Sequence, residues 1–100
     1  MINCLFCDGK VNKYSSHVHN TCINTNCKSW IFIVVNEIII LTSYNINDEW
    51  YLFSLPTTSE FDISVAKNSF PTGQVKGLFI LDKIDKESVL NKLDYLKYLS

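Results

Sequence analysis

Four cysteines in the first third of the chain constrain the fold more than any other feature. Cys4 and Cys7 are separated by two residues, Cys7 and Cys22 by fourteen, and Cys22 and Cys27 by four. This is the spacing of two metal-gripping turns joined by a short excursion of chain. It predicts a tetrahedral Zn2+ site with Cys4, Cys7, Cys22 and Cys27 as ligands. Four thiolates close the shell and leave no position for water, so the site is expected to be structural. Iron in the same thiolate cage is the main metallic alternative. A dithiol redox motif at Cys4-Leu5-Phe6-Cys7 needs a strand before it and a helix after it, and only three residues precede Cys4.

Disulfides are disfavoured by the expected compartment. The segment Met1-Ile2-Asn3 carries no cationic region and leads into no apolar one, so no secretory signal is expected. A reducing cytoplasm follows, in which thiols bind metal more often than they pair. The most apolar run, Ile31 to Leu41, is interrupted by Asn36-Glu37 and falls short of the roughly 20 residues of a membrane helix. With 47% hydrophobic and 19% charged residues in 100, one domain with a modest core is expected, and a structural metal adds to its stability. All nine basic residues are lysine, and asparagine and isoleucine are abundant, as in phage or low-GC bacterial proteins.

The expected elements follow from local pattern. Val11 to Tyr14 and Ser16 to Thr21 read as short strands returning the chain to the second cysteine pair. Gly9 is expected to supply a residue tolerant of positive φ after the first pair. Trp30 to Val35 and Ile38 to Tyr44 read as a hairpin turning at Asn36-Glu37, although glycine is the better second turn residue. Trp50 to Leu55 is a third strand, ended by Pro56. Phe61, Ile63 and Val65 alternate with Asp62, Ser64 and Ala66, which predicts a half-buried strand. Val75 to Leu81 is a last strand, kinked or bulged at Gly77. A C-terminal helix is expected after an N-cap at Asp85, with Val89, Leu93 and Leu96 as its apolar stripe and Leu90 and Leu99 widening it.

Several functions are set aside by charge and motif. Residues 1–30 hold three lysines against one acid, a balance of +2, and a zinc–tetrathiolate site of charge −2 cancels it. Residues 31–100 hold six lysines against nine acids, a balance of −3. A nucleic-acid role is therefore unsupported by charge, and Trp30, Trp50, Tyr51, Phe53, Phe61, Phe70 and Phe79 read as core rather than as base-stacking residues. No phosphate loop, nucleophile elbow or HExxH motif is present, so no enzymatic activity is expected. His17 and His19 share one face of a predicted strand and read as surface residues; if either ligates, His19 is nearer Cys22.

At Cys4, Cys7, Gly9, Cys22 and Cys27 the chain resembles the zinc-ribbon group, in which a CxxC turn is paired with a second cysteine pair at the end of a short β-ribbon. The resemblance covers about the first thirty residues. It departs in lacking a proline after the first cysteine and in the wider second pair. Such modules occur in transcription factors, ribosomal proteins and small phage proteins, and imply a metal and a local fold. The expectation is an α+β protein: a zinc ribbon over 1–30, then an antiparallel sheet with a C-terminal helix over 31–100, packed as one compact unit. Its expected role is a zinc-stabilised, non-enzymatic, cytoplasmic module acting through protein–protein contacts. The alternatives are a nucleic-acid-binding accessory protein and, third, a zinc enzyme. A protein partner or homo-oligomer is expected because the hairpin is apolar on both faces, and only one face has an evident cover, the C-terminal helix.

Overall fold

The computed structural model describes residues 3–13 and 19–99, with the backbone alone at residues 13, 19 and 97–99. The fold is α+β. Its strands are β1 (Val11–Lys13), β2 (His19–Cys22), β3 (Ile31–Val35), β4 (Ile38–Ile46), β5 (Glu49–Ser54) and β6 (Val75–Ile80); its helices are α1 (Glu60–Asn68) and α2 (Lys86–Leu99). All six strands form one sheet in the order β1-β2-β3-β4-β5-β6. Residues 14–18, expected to close the first ribbon strand and open the second, lie outside the described residues.

The two long hairpins turn on dipeptides whose four residues all adopt left-handed φ: Asn36 and Glu37 at 52° and 66°, Asn47 and Asp48 at 52° and 65°. Two consecutive left-handed residues give the turn whose twist matches that of the flanking strands. Asparagine tolerates this conformation at the first position of each. Between β3 and β4 the register shifts, Ile33 pairing with Leu41 and Val34 with Ile39, so Ile40 is a bulge. The bulge frees the Ile40 carbonyl, which accepts hydrogen bonds from the Leu55 N–H at 2.9 Å and the Thr58 hydroxyl at 2.8 Å. These bonds direct the chain out of β5 and toward α1.

The stretch Phe61 to Ala66 is helical, not a strand. Ser59 caps α1 by accepting from the Asp62 N–H at 3.1 Å, and its own hydroxyl donates to the Asp62 carboxylate. The cap and the acids Glu60 and Asp62 in the first turn favour a helix start. The alternation is accidental, because Phe61 points to solvent at 68% exposure while Ala66 is fully buried. The sheet changes with it. The helix carries the chain back across the sheet, so β6 runs parallel to β5, whereas every other adjacent pair is antiparallel as expected. The register shift between β5 and β6 falls beside Gly77, where an irregularity was expected.

Each face of the sheet has its own helix. Ile31, Ile33, Leu41 and Leu52 pack with Ala66 of α1 and with Phe70 beyond it. There Trp30, Trp50 and Phe70 form a ring cluster with centroids 5.0 to 6.1 Å apart. On the opposite face Phe53 packs with Val89 and Leu93 of α2, flanked by Phe6, Tyr44, Phe79, Leu90 and Leu96. Asp85 caps α2 as expected, its carboxylate accepting from the Ser88 N–H at 2.7 Å; the Leu99 side chain lies outside the described residues. Phe32 and Leu41 are fully buried and Val34 and Ile39 half-buried. The helix α1, expected as a strand, thus supplies cover on the face of the hairpin that the C-terminal helix leaves open.

Candidate metal centre

The first knuckle is built by two backbone bonds. The Cys4 N–H donates to the Gly9 carbonyl at 2.8 Å, and the Asp8 N–H donates to the Cys4 carbonyl at 3.0 Å. The left-handed residue is Asp8, at φ 58°, rather than Gly9. An aspartate accepts this conformation because its short polar side chain tolerates it. Glycine is needed next to it for a different reason: a Cβ on Gly9 would lie 3.2 Å from the Cys7 sulfur. Its absence lets the Gly9 N–H approach and donate to that sulfur.

The second knuckle accommodates its two additional residues as a turn. The Cys27 N–H donates to the Asn24 carbonyl at 3.0 Å, and the Asn24 side-chain oxygen accepts from the Asn26 N–H at 3.0 Å. These are a β-turn and an Asx-turn over the same residues. The wider spacing thus brings Cys22 and Cys27 together without a proline or glycine. In both knuckles a sulfur is served by the N–H two residues on: Gly9 for Cys7, Asn24 for Cys22, and Ser29 for Cys27 at 3.4 Å. Amide dipoles aimed at sulfur stabilise negative charge there.

The structure brings all four expected cysteines into one cluster, each sulfur within 4.8 Å of every other. Cys4 meets Cys27 at 3.7 Å and Cys7 meets Cys22 at 3.7 Å, so the closest approaches run between the knuckles. Four donors of this kind, at this separation, could hold a metal ion. Cys4 is buried and the other three are half-buried. The Gly9 N–H holds the Cys7 thiol down at about 7, whereas burial pushes Cys22 up to about 11 and raises Cys27 further. Near neutral pH a metal ion held there would therefore displace protons from Cys22 and Cys27. Since bound protons compete with the ion, affinity rises with pH and falls on acidification.

Two contacts outside the four cysteines seat the cluster on the sheet, and spacing alone marked neither. Phe6, between the first two cysteines, packs edge-on to Tyr44 at 4.9 Å and against Phe32 at 6.5 Å. Ser29, two residues after Cys27, donates its hydroxyl to the Ser43 carbonyl at 2.7 Å, and the Ser43 hydroxyl accepts from the Trp30 and Ile31 N–H groups. The second of these begins β3 directly after the knuckle. A phenylalanine inside a CxxC and a serine just after the last cysteine were the available signals. His17 lies outside the described residues, and His19 is described by its backbone alone, which pairs with Ile33.

No family model, no curated protein and no solved structure matches the chain. Among the described residues no helix is long and apolar enough to cross a membrane.

Proposed function

We propose that the four cysteines hold one Zn2+ ion in a closed structural site, and that the protein is a non-enzymatic module acting through protein contacts. The observation that carries the metal is the sulfur separation. A regular tetrahedron of sulfurs about 2.3 Å from a central zinc has edges of about 3.8 Å, and both inter-knuckle approaches are 3.7 Å. A shell filled by four thiolates has no open position for a substrate or an activated water, which favours a structural over a catalytic role. The zinc-ribbon resemblance of the first thirty residues points the same way. The protein-contact part is supported by the net charge of −1, too little for a phosphate-binding surface, and by the apolar side chains of Phe61 and Ile80 exposed at 68% and 55%.

Elemental analysis of protein purified without added metal should give about one zinc per chain. The same samples should show no salt-dependent retention on DNA or RNA. A folded, reduced sample free of zinc refutes the metal, and steep salt-dependent retention refutes the protein-contact reading.

A further inference from the structure

The sheet ends at β6, and that edge carries three features that fit one another. The first is its hydrogen-bonding parity. The Leu81 N–H donates to the Ser54 carbonyl of β5 at 2.8 Å, and backbone groups alternate sides along a strand. The N–H and C=O groups of Leu78 and Ile80 therefore point away from β5, and among the described residues no strand pairs with them. The second is apolar surface. Ile80 is 55% exposed on this edge. Beside it a groove of about 400 Å³ is lined by Phe70, Pro71, Val75 and Leu78 and rimmed by Lys67 and Lys76. The third is charge. Lys76 lies toward one end of the strand, 61% exposed, with one ion pair among the described residues, a long contact of 3.8 Å to Glu49. Asp82 follows the other end, exposed and with no ion pair among the described residues.

We infer that β6 is the contact between two copies of this chain, paired antiparallel about Phe79. In that register Leu78 lies opposite Ile80 of the second copy. The outward N–H and C=O groups then meet in pairs, as an antiparallel ladder requires. Phe79 lies opposite its own counterpart, and Lys76 opposite Asp82, twice by symmetry. Ile80 of each copy covers Leu78 of the other at the mouth of the groove. Opposite charges toward the two ends favour this register, since a one-residue shift moves both lysines off their acids and sets the outward groups of Leu78 and Ile80 against residues whose own groups face β5. The bulge falls at Lys76, between Val75 and Gly77, so the ladder is limited to Leu78 and Ile80 and the attraction between Lys76 and Asp82 acts beyond its ends. The dimer is accordingly weak, forms with rising concentration, and is independent of the metal, so zinc content separates its failure from that of the proposed zinc site.

Sedimentation equilibrium over a wide concentration range, with zinc content measured on the same samples, tests the pairing. The expected result is a mass rising from 11.5 kDa toward twice that value. I80P removes an outward N–H that serves no bond among the described residues, and should raise the half-pairing concentration by at least about tenfold while zinc content and circular dichroism stay unchanged. D82K should weaken pairing, and K76E/D82K should restore it, because the double variant exchanges the charges without changing the register. Mass that stays at one chain at every concentration overturns the inference; an extended segment of another protein would then be the occupant of this edge. Pairing indifferent to both I80P and D82K also overturns it.

Discussion

The two ends of the sheet are held by different means. Toward β6 the strands are clamped between two helices, and Ile31, Ile33, Leu41, Leu52, Phe53, Val89 and Leu93 are all at most 2% exposed. Toward β1 the buried set comprises Cys4, Asn20, Thr21 and Ser29. Ile23, the bulkiest apolar residue of the second knuckle, is 52% exposed. Apolar burial is the main driving force at one end and is scarce at the other. The described residues of this end have instead four sulfurs that could hold one ion, whose binding energy would become folding energy. The difference teaches that loss of metal and loss of core should disorder different parts of the molecule.

The sharpest way to separate the ends is to remove a ligand. Cys22→Ser should abolish zinc binding and disorder residues 3–13 and 19–29, with a loss on the order of 10 kcal/mol of metal-linked free energy as in isolated zinc modules. Amide exchange should show protection lost there but retained at Leu41, Leu52 and Val89. Acidification should reproduce this state, because proton binding at Cys22 and Cys27 displaces the ion. Uniform loss of protection would mean that the two ends do not fold by separate means.

Leu52→Ala tests the opposite end. Leu52 is fully buried under α1, and its truncation should cost about 2–5 kcal/mol in denaturant unfolding while leaving zinc stoichiometry unchanged. Phe6→Ala addresses the seam. It keeps all four ligands but removes the ring between Phe32 and Tyr44, for which about 1–2 kcal/mol is expected for a half-buried aromatic. Zinc should remain bound, with faster amide exchange in the first knuckle. The smallest effect is expected at Ser54, whose fully buried hydroxyl has no hydrogen-bond partner among the described residues. Ser54→Ala removes a desolvated polar group and should change stability by less than about 1 kcal/mol, in the stabilising direction. A clear destabilisation there would show that the hydroxyl is satisfied after all.

What could be read in the sequence follows the same division. The cysteines, the Asn36-Glu37 hairpin and the Asp85-capped helix are legible because each is set by a few neighbouring residues. The helix α1 was missed because alternation at Phe61, Ile63 and Val65 outweighed a weaker cue, Ser59 followed three residues later by Asp62. The burial that decides between the two readings belongs to Ala66 and Phe70, and it exists only once the sheet is present. The parallel direction of β6 was missed as a consequence, since a strand in place of α1 would have returned the chain antiparallel. The second knuckle was legible as a cysteine pair but not as a turn, because its Asx geometry depends on side-chain hydrogen bonds that spacing does not reveal. The exchange of roles between Asp8 and Gly9 was hidden for a related reason: the need for glycine comes from the Cys7 sulfur, a tertiary contact.

Because the strand order in space is the order along the chain, synthesis from the N-terminus presents each new strand with a template already made. Almost all partners are close neighbours in sequence, an arrangement that shortens the conformational search and speeds folding. The first cysteine needs only 23 further residues to meet the last, so the four sulfurs can come together before β4 has left the ribosome. The growing sheet nevertheless carries an open edge at every stage, and each strand in turn protects the one before it. Only β6 has no successor.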